Sequence, residues 1–79
     1  MRIDKFLKVS RIIKRRTLAN EACDREKVTL NGRIAKASAE VKPGDIVEIR
    51  FGEKLIKFRI TKVAEHMKKE ETAEMYELL

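Results

Sequence analysis

The chain opens with R-I-D-K-F-L at residues 2–7, and three later stretches complete the pattern that decides the fold. They read K-R-R-T-L-A at residues 14–19, V-T-L-N-G at residues 28–32 and V-K-P-G-D at residues 41–45. The first two begin segments whose apolar residues recur three and four positions apart, which is typical of amphipathic helices. The last two contain Asn-Gly and Pro-Gly, which favour tight turns. The pattern therefore predicts helices first and a sheet afterwards.

Two helices are predicted in the first third of the chain. The first spans about residues 3–9, and a turn over residues 10–14 follows it. The second spans about residues 16–24, and its start is unusual because cations occupy the region where Ser, Thr or Asp normally caps a helix. The residues that this second helix is expected to bury are Leu18, Ala19, Ala22 and Cys23.

A small antiparallel sheet is predicted after the helices. A short strand over residues 28–30 leads into the Asn31-Gly32 turn, and another turn lies at residues 42–45. Apolar and charged residues then alternate on both sides of Gly52-Glu53, as in a hairpin with one buried face. The residues expected on that face are Val47, Ile49, Phe51, Ile56, Phe58 and Ile60. The predicted fold class is α+β, with two N-terminal helices packed on a small antiparallel sheet and a short C-terminal helix.

The C-terminal segment, residues 64–79, is predicted to be an acidic tail beside a domain that spans residues 1–63. Thr72 is a candidate N-cap for the last short helix. The residues of this helix that are expected to face inward are Met75, Tyr76 and Leu79. Two interpretations are open: the helix packs on the domain's own sheet, which we favour, or its acidic side chains bind a protein partner.

Positive charge is concentrated at the start of the chain. The 79 residues carry a formal net charge of +6. Residues 1–17 hold seven cations against one anion, whereas residues 64–79 hold two lysines against five glutamates. A basic region on a small domain favours a polyanionic partner such as nucleic acid. A merely solvated basic face is the alternative, but it would not explain the uneven distribution.

The sequence offers little equipment for catalysis. Cys23 and His66 are the only residues of their types, so neither has a partner of its own kind for a metal site. The three glycines all lie in predicted turns, and none belongs to a glycine-rich phosphate loop. We therefore expect a protein that is not an enzyme and needs no cofactor or metal. No apolar run approaches the roughly 20 residues of a membrane span, so we expect a cytoplasmic protein with no membrane partner.

Phosphate binding is the chemistry that these residues favour, since Arg suits bidentate phosphate contacts and Lys acts as a point charge. RNA is favoured over DNA because Asn20, Glu21 and Asp24 are expected to point outward from the second helix, where the two anions would repel a duplex backbone. Binding should therefore read backbone and shape rather than sequence. The aromatic rings that could stack on bases are all predicted to lie on apolar faces: Phe6, Phe51 and Phe58.

Taken in order, the four stretches quoted above resemble the RNA-binding domain family that is named after small-subunit ribosomal protein four. The resemblance covers residues 1 to about 63. Among stand-alone members, the chain is similar to the ribosome-associated heat-shock protein. It is more similar to the short members that act in bacterial ribosome quality control, with which it shares the start M-R-I-D-K-F-L-K-V-S-R and an ending like E-M-Y-E-L-L.

This resemblance implies an RNA-binding factor that associates with the large ribosomal subunit and contacts large-subunit rRNA and a stalled peptidyl-tRNA. A partner of the RqcH type would then recruit alanyl-tRNA, so that alanine tails are added to the stalled chain. We expect a monomer. Three alternatives stay open: a heat-shock-type ribosome recycling factor, a protein–protein adaptor that uses the acidic tail, and a DNA-binding regulator.

Carried over by position, the resemblance also implies which residues contact RNA. They are Arg2, Arg11, Lys14, Arg15, Arg16 and Thr17, with Arg16 the first choice and Lys5, Lys8 and Lys36 secondary. Two positions depart from the family pattern, which usually has Ser or Thr at Arg15 and Gly at Glu26. A left-handed backbone at Glu26 would cost about 1 kcal/mol. We expect Arg16 to serve binding and not folding, so Arg16→Ala should leave thermal stability nearly unchanged.

Overall fold

Two helices lie against one face of a five-stranded antiparallel sheet in the computed structural model, which describes residues 1–79. The helices are α1 (Ile3–Val9) and α2 (Arg16–Asp24). The strands are β1 (Val28–Leu30), β2 (Arg33–Ile34), β3 (Ile46–Phe51), β4 (Lys54–Ile60) and β5 (Tyr76–Leu78). A 3₁₀ helix, Lys69–Met75, precedes β5. The predicted α+β class and the predicted bounds of both N-terminal helices are confirmed.

The hydrophobic core fills the space between the helices and the inner face of the sheet. On α1, Ile3 and Phe6 are fully buried, and the Phe6 ring stacks on Phe58 of β4 with the ring centroids 6.4 Å apart. On α2, Ala19 and Cys23 enter the core one turn apart, and their small side chains let the two helices approach closely. None of the helices combines the length and the apolar character needed to cross a membrane.

The sheet has the strand order β2-β1-β3-β4-β5 and is antiparallel throughout. Asn31 and Gly32 join β1 to β2 with φ angles of 51° and 84°, as a type I′ turn requires. Gly52 has a φ of 59° and begins the two-residue turn between β3 and β4. The two predicted hairpins are therefore confirmed. The inner-face residues that are fully buried are Val28, Val47, Ile49, Phe58 and Ile60.

Two side chains that the pattern placed in the core are largely exposed instead. Ala19 and Cys23 define the inward side of α2, and Leu18 lies about 100° around the helix from Ala19. Leu18 is therefore 49% exposed. Phe51 is 40% exposed because it ends β3 at the hairpin turn, beyond the part of the sheet that the helices cover. The prediction that both are buried was wrong.

The C-terminal segment joins the sheet instead of ending in an α-helix. Thr72 donates a hydrogen bond to the Lys69 carbonyl inside the 3₁₀ helix, 2.9 Å away, and does not cap a helix. Met75 is fully buried as predicted, but Tyr76 starts β5 and Leu79 is 54% exposed. β5 forms because its backbone pairs with the edge of β4, which would otherwise be left open.

Glu26 lies in the left-handed region, with a φ of 60°. It follows the end of α2, where its N–H donates to the Cys23 carbonyl at 2.9 Å and the N–H of Lys27 donates to Ala22 at 3.0 Å. These two bonds form a Schellman motif, whose left-handed position normally favours glycine. The sequence raised this possibility for Glu26, and the structure confirms that the position needs the strained backbone.

Candidate nucleic-acid interface

A buried carboxylate holds two of the predicted RNA-binding arginines. The Asp4 side chain is only 3% exposed, and it accepts hydrogen bonds from Arg2 at 3.2 Å and from Arg16 at 3.3 Å. Asn20 of α2 donates to it at 3.5 Å, and the backbone N–H of Lys5 donates at 2.8 Å. Sequence reasoning missed this role of Asp4, because the contacts to α2 span 12 and 16 residues of chain.

The Asp4 carboxyl is held in its charged form. Burial alone would raise its pKa, but the hydrogen bonds from Arg16 and Asn20 and the positive charge of Arg16 outweigh burial, so the pKa lies below its ordinary value of 3.8. The Arg2 and Arg16 side chains are each 46% exposed. Because one guanidinium group carries five donors, both arginines keep donors free for an external anion while Asp4 fixes their positions.

This arrangement changes the expected role of Arg16. Sequence reasoning expected Arg16 to serve binding and not folding. The structure shows that Arg16 also neutralises a buried carboxylate, and removing one partner of such a pair leaves the other partner poorly compensated. Arg16 therefore contributes to the packing of α1 against α2 as well.

The start of α2 is open. Its N-cap residue is Arg15, which makes no capping hydrogen bond, and no acidic residue lies in the first turn. The backbone N–H groups of Arg16, Thr17 and Leu18 have no acceptor within the chain. Unpaired N–H groups and the helix dipole make such an end a binding site for anions. The exposed side chain of Thr17 adds a hydroxyl group at this helix end.

A shallow cavity of about 410 Å³ lies beside this helix end. The residues that line it are Arg2, Asp4, Arg16, Thr17 and Asn20. The structure therefore brings together three of the predicted RNA-binding residues, Arg2, Arg16 and Thr17, around an open helix start.

A second basic group lies in the loop between the helices. Lys8, Arg11 and Lys14 line another cavity, of about 340 Å³, together with Glu65 and His66. Arg11 adopts a left-handed backbone with a φ of 63°, which turns the chain directly after α1. Lys8, Arg11 and Lys14 are exposed and make no ion pair. These three side chains are therefore free to contact an external anion.

The remaining predicted residues differ in how free their side chains are to contact an RNA phosphate. Arg15 is exposed and unpaired at the N-cap of α2. Lys5 is ion-paired with Glu65, so an RNA phosphate would have to replace that carboxylate. Lys36 lines a cavity of about 480 Å³ on another side of Arg2, together with Asp24 and other residues. The RNA-binding role of the whole set remains a prediction, and the structure favours Arg2 and Arg16 over Lys5.

Cys23 belongs to the core. Burial, together with the nearby charges of Asp4 and Asp24, raises the pKa of its thiol to about 11. The thiol is 3% exposed and stays protonated at neutral pH, and only the thiolate is a strong nucleophile. The side chain therefore acts as a small apolar residue between the helices and the sheet.

The chain is similar in sequence to a known domain family and to named bacterial proteins. The family model described as the S4 domain matches residues 1–47, which include both helices and every predicted RNA-binding residue. A Bacillus subtilis protein named RQC P-site tRNA stabilizing factor is 54% identical over 79 residues, covering 100% of this chain and 92% of the relative. A protein of the same name from Halalkalibacterium halodurans is 56% identical over 78 residues, covering 99% of this chain and 89% of the relative.

Two solved structures have a similar fold. The trimeric structure of Vibrio cholerae heat shock protein 15 has a TM-score of 0.92 at 30% identity and covers 100% of this chain and 81% of that one. The solution structure of the hypothetical protein HP1423 has a TM-score of 0.85 at 34% identity and covers 100% of this chain and 96% of that one. Both similarities extend over the whole chain, including the 3₁₀ helix and β5.

Proposed function

Because this chain belongs to the S4 domain family, together with relatives named RQC P-site tRNA stabilizing factor, we propose that it is a non-catalytic RNA-binding factor of ribosome quality control. The observation that carries the proposal is the open start of α2, beside which Asp4 holds Arg2 and Arg16. This site suits a phosphate group because it combines unpaired N–H groups, a helix dipole and two guanidinium groups. Arg2, Arg16 and Thr17 are exposed, so a large polyanion can reach this site.

The proposed target is the large ribosomal subunit that carries a stalled peptidyl-tRNA. Two basic groups support contacts with two RNA segments: the α2 start with Arg2 and Arg16, and the loop group of Lys8, Arg11 and Lys14. One segment would belong to large-subunit rRNA and the other to the tRNA. The factor would thereby hold the tRNA in place while an RqcH-type partner directs alanine tailing of the stalled chain. It would act in the cytoplasm as a monomer.

A heat-shock-type recycling factor is the second candidate, because heat shock protein 15 has the higher TM-score of the two solved structures. We favour the quality-control role because the relatives with that name are 54% and 56% identical, against 30% for the heat-shock protein. The two candidates differ in one outcome in cells. Deletion of the gene should abolish alanine tailing of stalled chains if the first is correct and leave it intact if the second is.

Co-sedimentation with ribosomal particles on a sucrose gradient tests the proposal. We expect the wild-type protein to travel with large subunits that carry tRNA, and Arg16→Ala to stay at the top of the gradient. Arg59→Ala is the matched control, because Arg59 is also 46% exposed and ion-paired but lies on the sheet in β4. If wild type and both variants stay at the top, the ribosome is not the partner. If Arg16→Ala sediments like wild type, the α2 start is not the binding site.

A further inference from the structure

A groove lies between α2 and the β3–β4 hairpin, on the side of α2 away from Asp4. We call it the hairpin groove; it has a volume of about 340 Å³. Leu18, Ala22 and Phe51 supply apolar side chains, and Arg25, Lys27 and Arg50 supply cations. None of these six residues belongs to the RNA-binding set that the sequence predicted. The hairpin groove is therefore a surface separate from the predicted RNA-binding residues.

The groove exposes two large apolar side chains that a small domain would ordinarily bury. Leu18 is 49% exposed and Phe51 is 40% exposed. Of the six large apolar residues that are exposed in the structure, only these two line the same groove. An exposed aromatic ring and an exposed aliphatic side chain that line one groove give an apolar slot in which a planar group can stack.

The rim of the groove is positively charged. Glu21 also lines the groove, but it is paired with Arg25 at 2.9 Å. Lys27 and Arg50 take part in no ion pair, so the groove keeps a net positive charge. The backbone N–H of Arg50 donates to the Lys27 carbonyl at 2.9 Å, which holds the two residues side by side. Two adjacent unpaired cations beside an apolar slot favour a ligand that has both an anionic group and an apolar face.

The groove and the Asp4 site occupy opposite flanks of α2. Arg16 and Asn20 are four residues apart and both bond Asp4. Leu18, Ala22 and Arg25 follow one another at spacings of four and three, about 200° around the helix from Arg16. A ligand in the groove would therefore leave Arg2 and Arg16 free, and one RNA could reach both flanks across the start of α2.

We propose that the hairpin groove binds one unpaired nucleotide of the RNA, with its base stacked between Leu18 and Phe51 and its phosphate near Lys27 and Arg50. This inference rests on the proposed RNA-binding function. The groove's volume suits one small group such as a base, because pockets for small ligands span about 300–1,000 Å³ and the groove, at about 340 Å³, lies at the small end of that range. A base also supplies the planar face that Phe51 fits, and its phosphate supplies the charge that the rim fits.

Fluorescence anisotropy with two labelled RNA hairpins tests the proposal. The two RNAs are identical except that one carries a single bulged adenosine. We expect wild type to bind the bulged RNA more tightly. Phe51→Leu, which removes the ring but keeps apolar bulk, should weaken binding of the bulged RNA by about 5- to 30-fold and leave binding of the paired RNA unchanged. Phe51→Tyr should bind like wild type because it keeps a stacking ring.

Controls separate this inference from the proposed function. Leu55→Ser alters another exposed apolar residue of the same hairpin, 60% exposed and outside the groove, and should change neither affinity. Arg16→Ala should weaken both RNAs by the same factor. If wild type binds neither RNA, both the proposed function and the inference are overturned. If wild type binds both RNAs equally and Phe51→Leu changes neither affinity, the inference alone fails, and a protein segment becomes the better occupant of the groove.

Discussion

The two helices of this domain begin in opposite ways. The first three N–H groups of α1 all have acceptors within the chain: Ile3 donates to Ala39 at 2.7 Å, Asp4 to Ala37 at 3.3 Å and Lys5 to the Asp4 carboxylate at 2.8 Å. The first three N–H groups of α2 have none, and cations surround them. α1 therefore begins at a closed end and α2 at an open one.

The difference shows how this small domain divides stability from binding. The closed end is stabilised by the loop that precedes β3 and by a carboxylate that suits the positive end of the helix dipole. The open end loses that stabilisation and gathers positive charge, which an arriving phosphate can offset. Asp4 connects the two helices, because one of its oxygens accepts the N–H of Lys5 in the first turn of α1 while its two oxygens accept bonds from the Arg16 and Asn20 side chains of α2.

Removing the link between the two ends should have the largest effect. We expect Asp4→Asn to lower the free energy of unfolding by about 2–3 kcal/mol, because the carboxylate accepts charge-assisted bonds from Arg2 and Arg16 in a buried position. Urea denaturation measures this loss. Glu40→Gln is the control: Glu40 pairs with the N-terminus but its side chain is 78% exposed, so its loss should change stability little. Equal effects of the two variants would contradict the central role of Asp4.

The same carboxylate should make stability depend on pH. The pKa of Asp4 is lowered in the folded protein, so its contribution is complete above the ordinary value of 3.8 and is lost as the pH falls through the folded pKa. Urea titrations of wild type and Asp4→Asn between pH 6 and acid pH would show the difference between them shrinking below about pH 4. A difference that stays constant with pH would mean that the charge on Asp4 is not what stabilises the helix pair.

Arg16→Ala should affect both binding and folding. We expect RNA affinity to fall by about tenfold and the salt dependence of binding to become shallower by about one counterion, since one phosphate contact is lost. We also expect the unfolding free energy to fall by about 1 kcal/mol, because Asp4 loses one of its charged donors. Binding titrations at several salt concentrations and urea denaturation test the two parts. A variant that binds RNA with the wild-type salt slope would exclude Arg16 as a phosphate contact.

Glu26→Gly should stabilise the protein without touching either helix start. Glycine adopts the left-handed backbone at this position without strain, so we expect the free energy of unfolding to rise by about 1 kcal/mol. RNA affinity should be unchanged. Gly44→Ala provides the reverse control, because Gly44 has a φ of 97° and alanine there should destabilise the fold. Unchanged stability in Glu26→Gly would show that the Schellman motif carries no strain.

Arg15→Ser should partly convert the open end into a closed one. Serine at the N-cap can accept a hydrogen bond from the first turn, so α2 should gain about 0.5–1 kcal/mol while RNA binding weakens. Arg15→Ala removes the same charge without supplying a cap, and it should weaken binding without the gain in stability. Thermal denaturation and anisotropy on the three proteins separate the cap from the charge. Stronger RNA binding by Arg15→Ser would contradict the view that the open end serves the RNA.

Several features of the fold and the site were predictable because they depend on neighbours in sequence. The spacing of Ile3 and Phe6 indicates the inner face of α1, and the spacing of Ala19 and Cys23 indicates that of α2. Asn31-Gly32 sets the first hairpin turn. The cations at the start of α2 were also visible, because a missing cap is a local property. The partnership of Asp4 with Arg16 was not visible, since nothing in the spacing of the two residues indicates which α2 residue will face α1.

The sequence by itself determined the helices, the turns and the uneven charge of this protein, since backbone dihedrals and local charge follow from residues close together in the chain. Only the tertiary structure decided which residues with a core-like pattern stay exposed and which groups distant in sequence meet. Phe51 alternates like a core residue but extends past the cover of the helices, and residues 76–78 form a strand because β4 offers an open edge. The physical reason is that burial and pairing depend on the packing of elements that are distant in sequence, which local patterns do not encode.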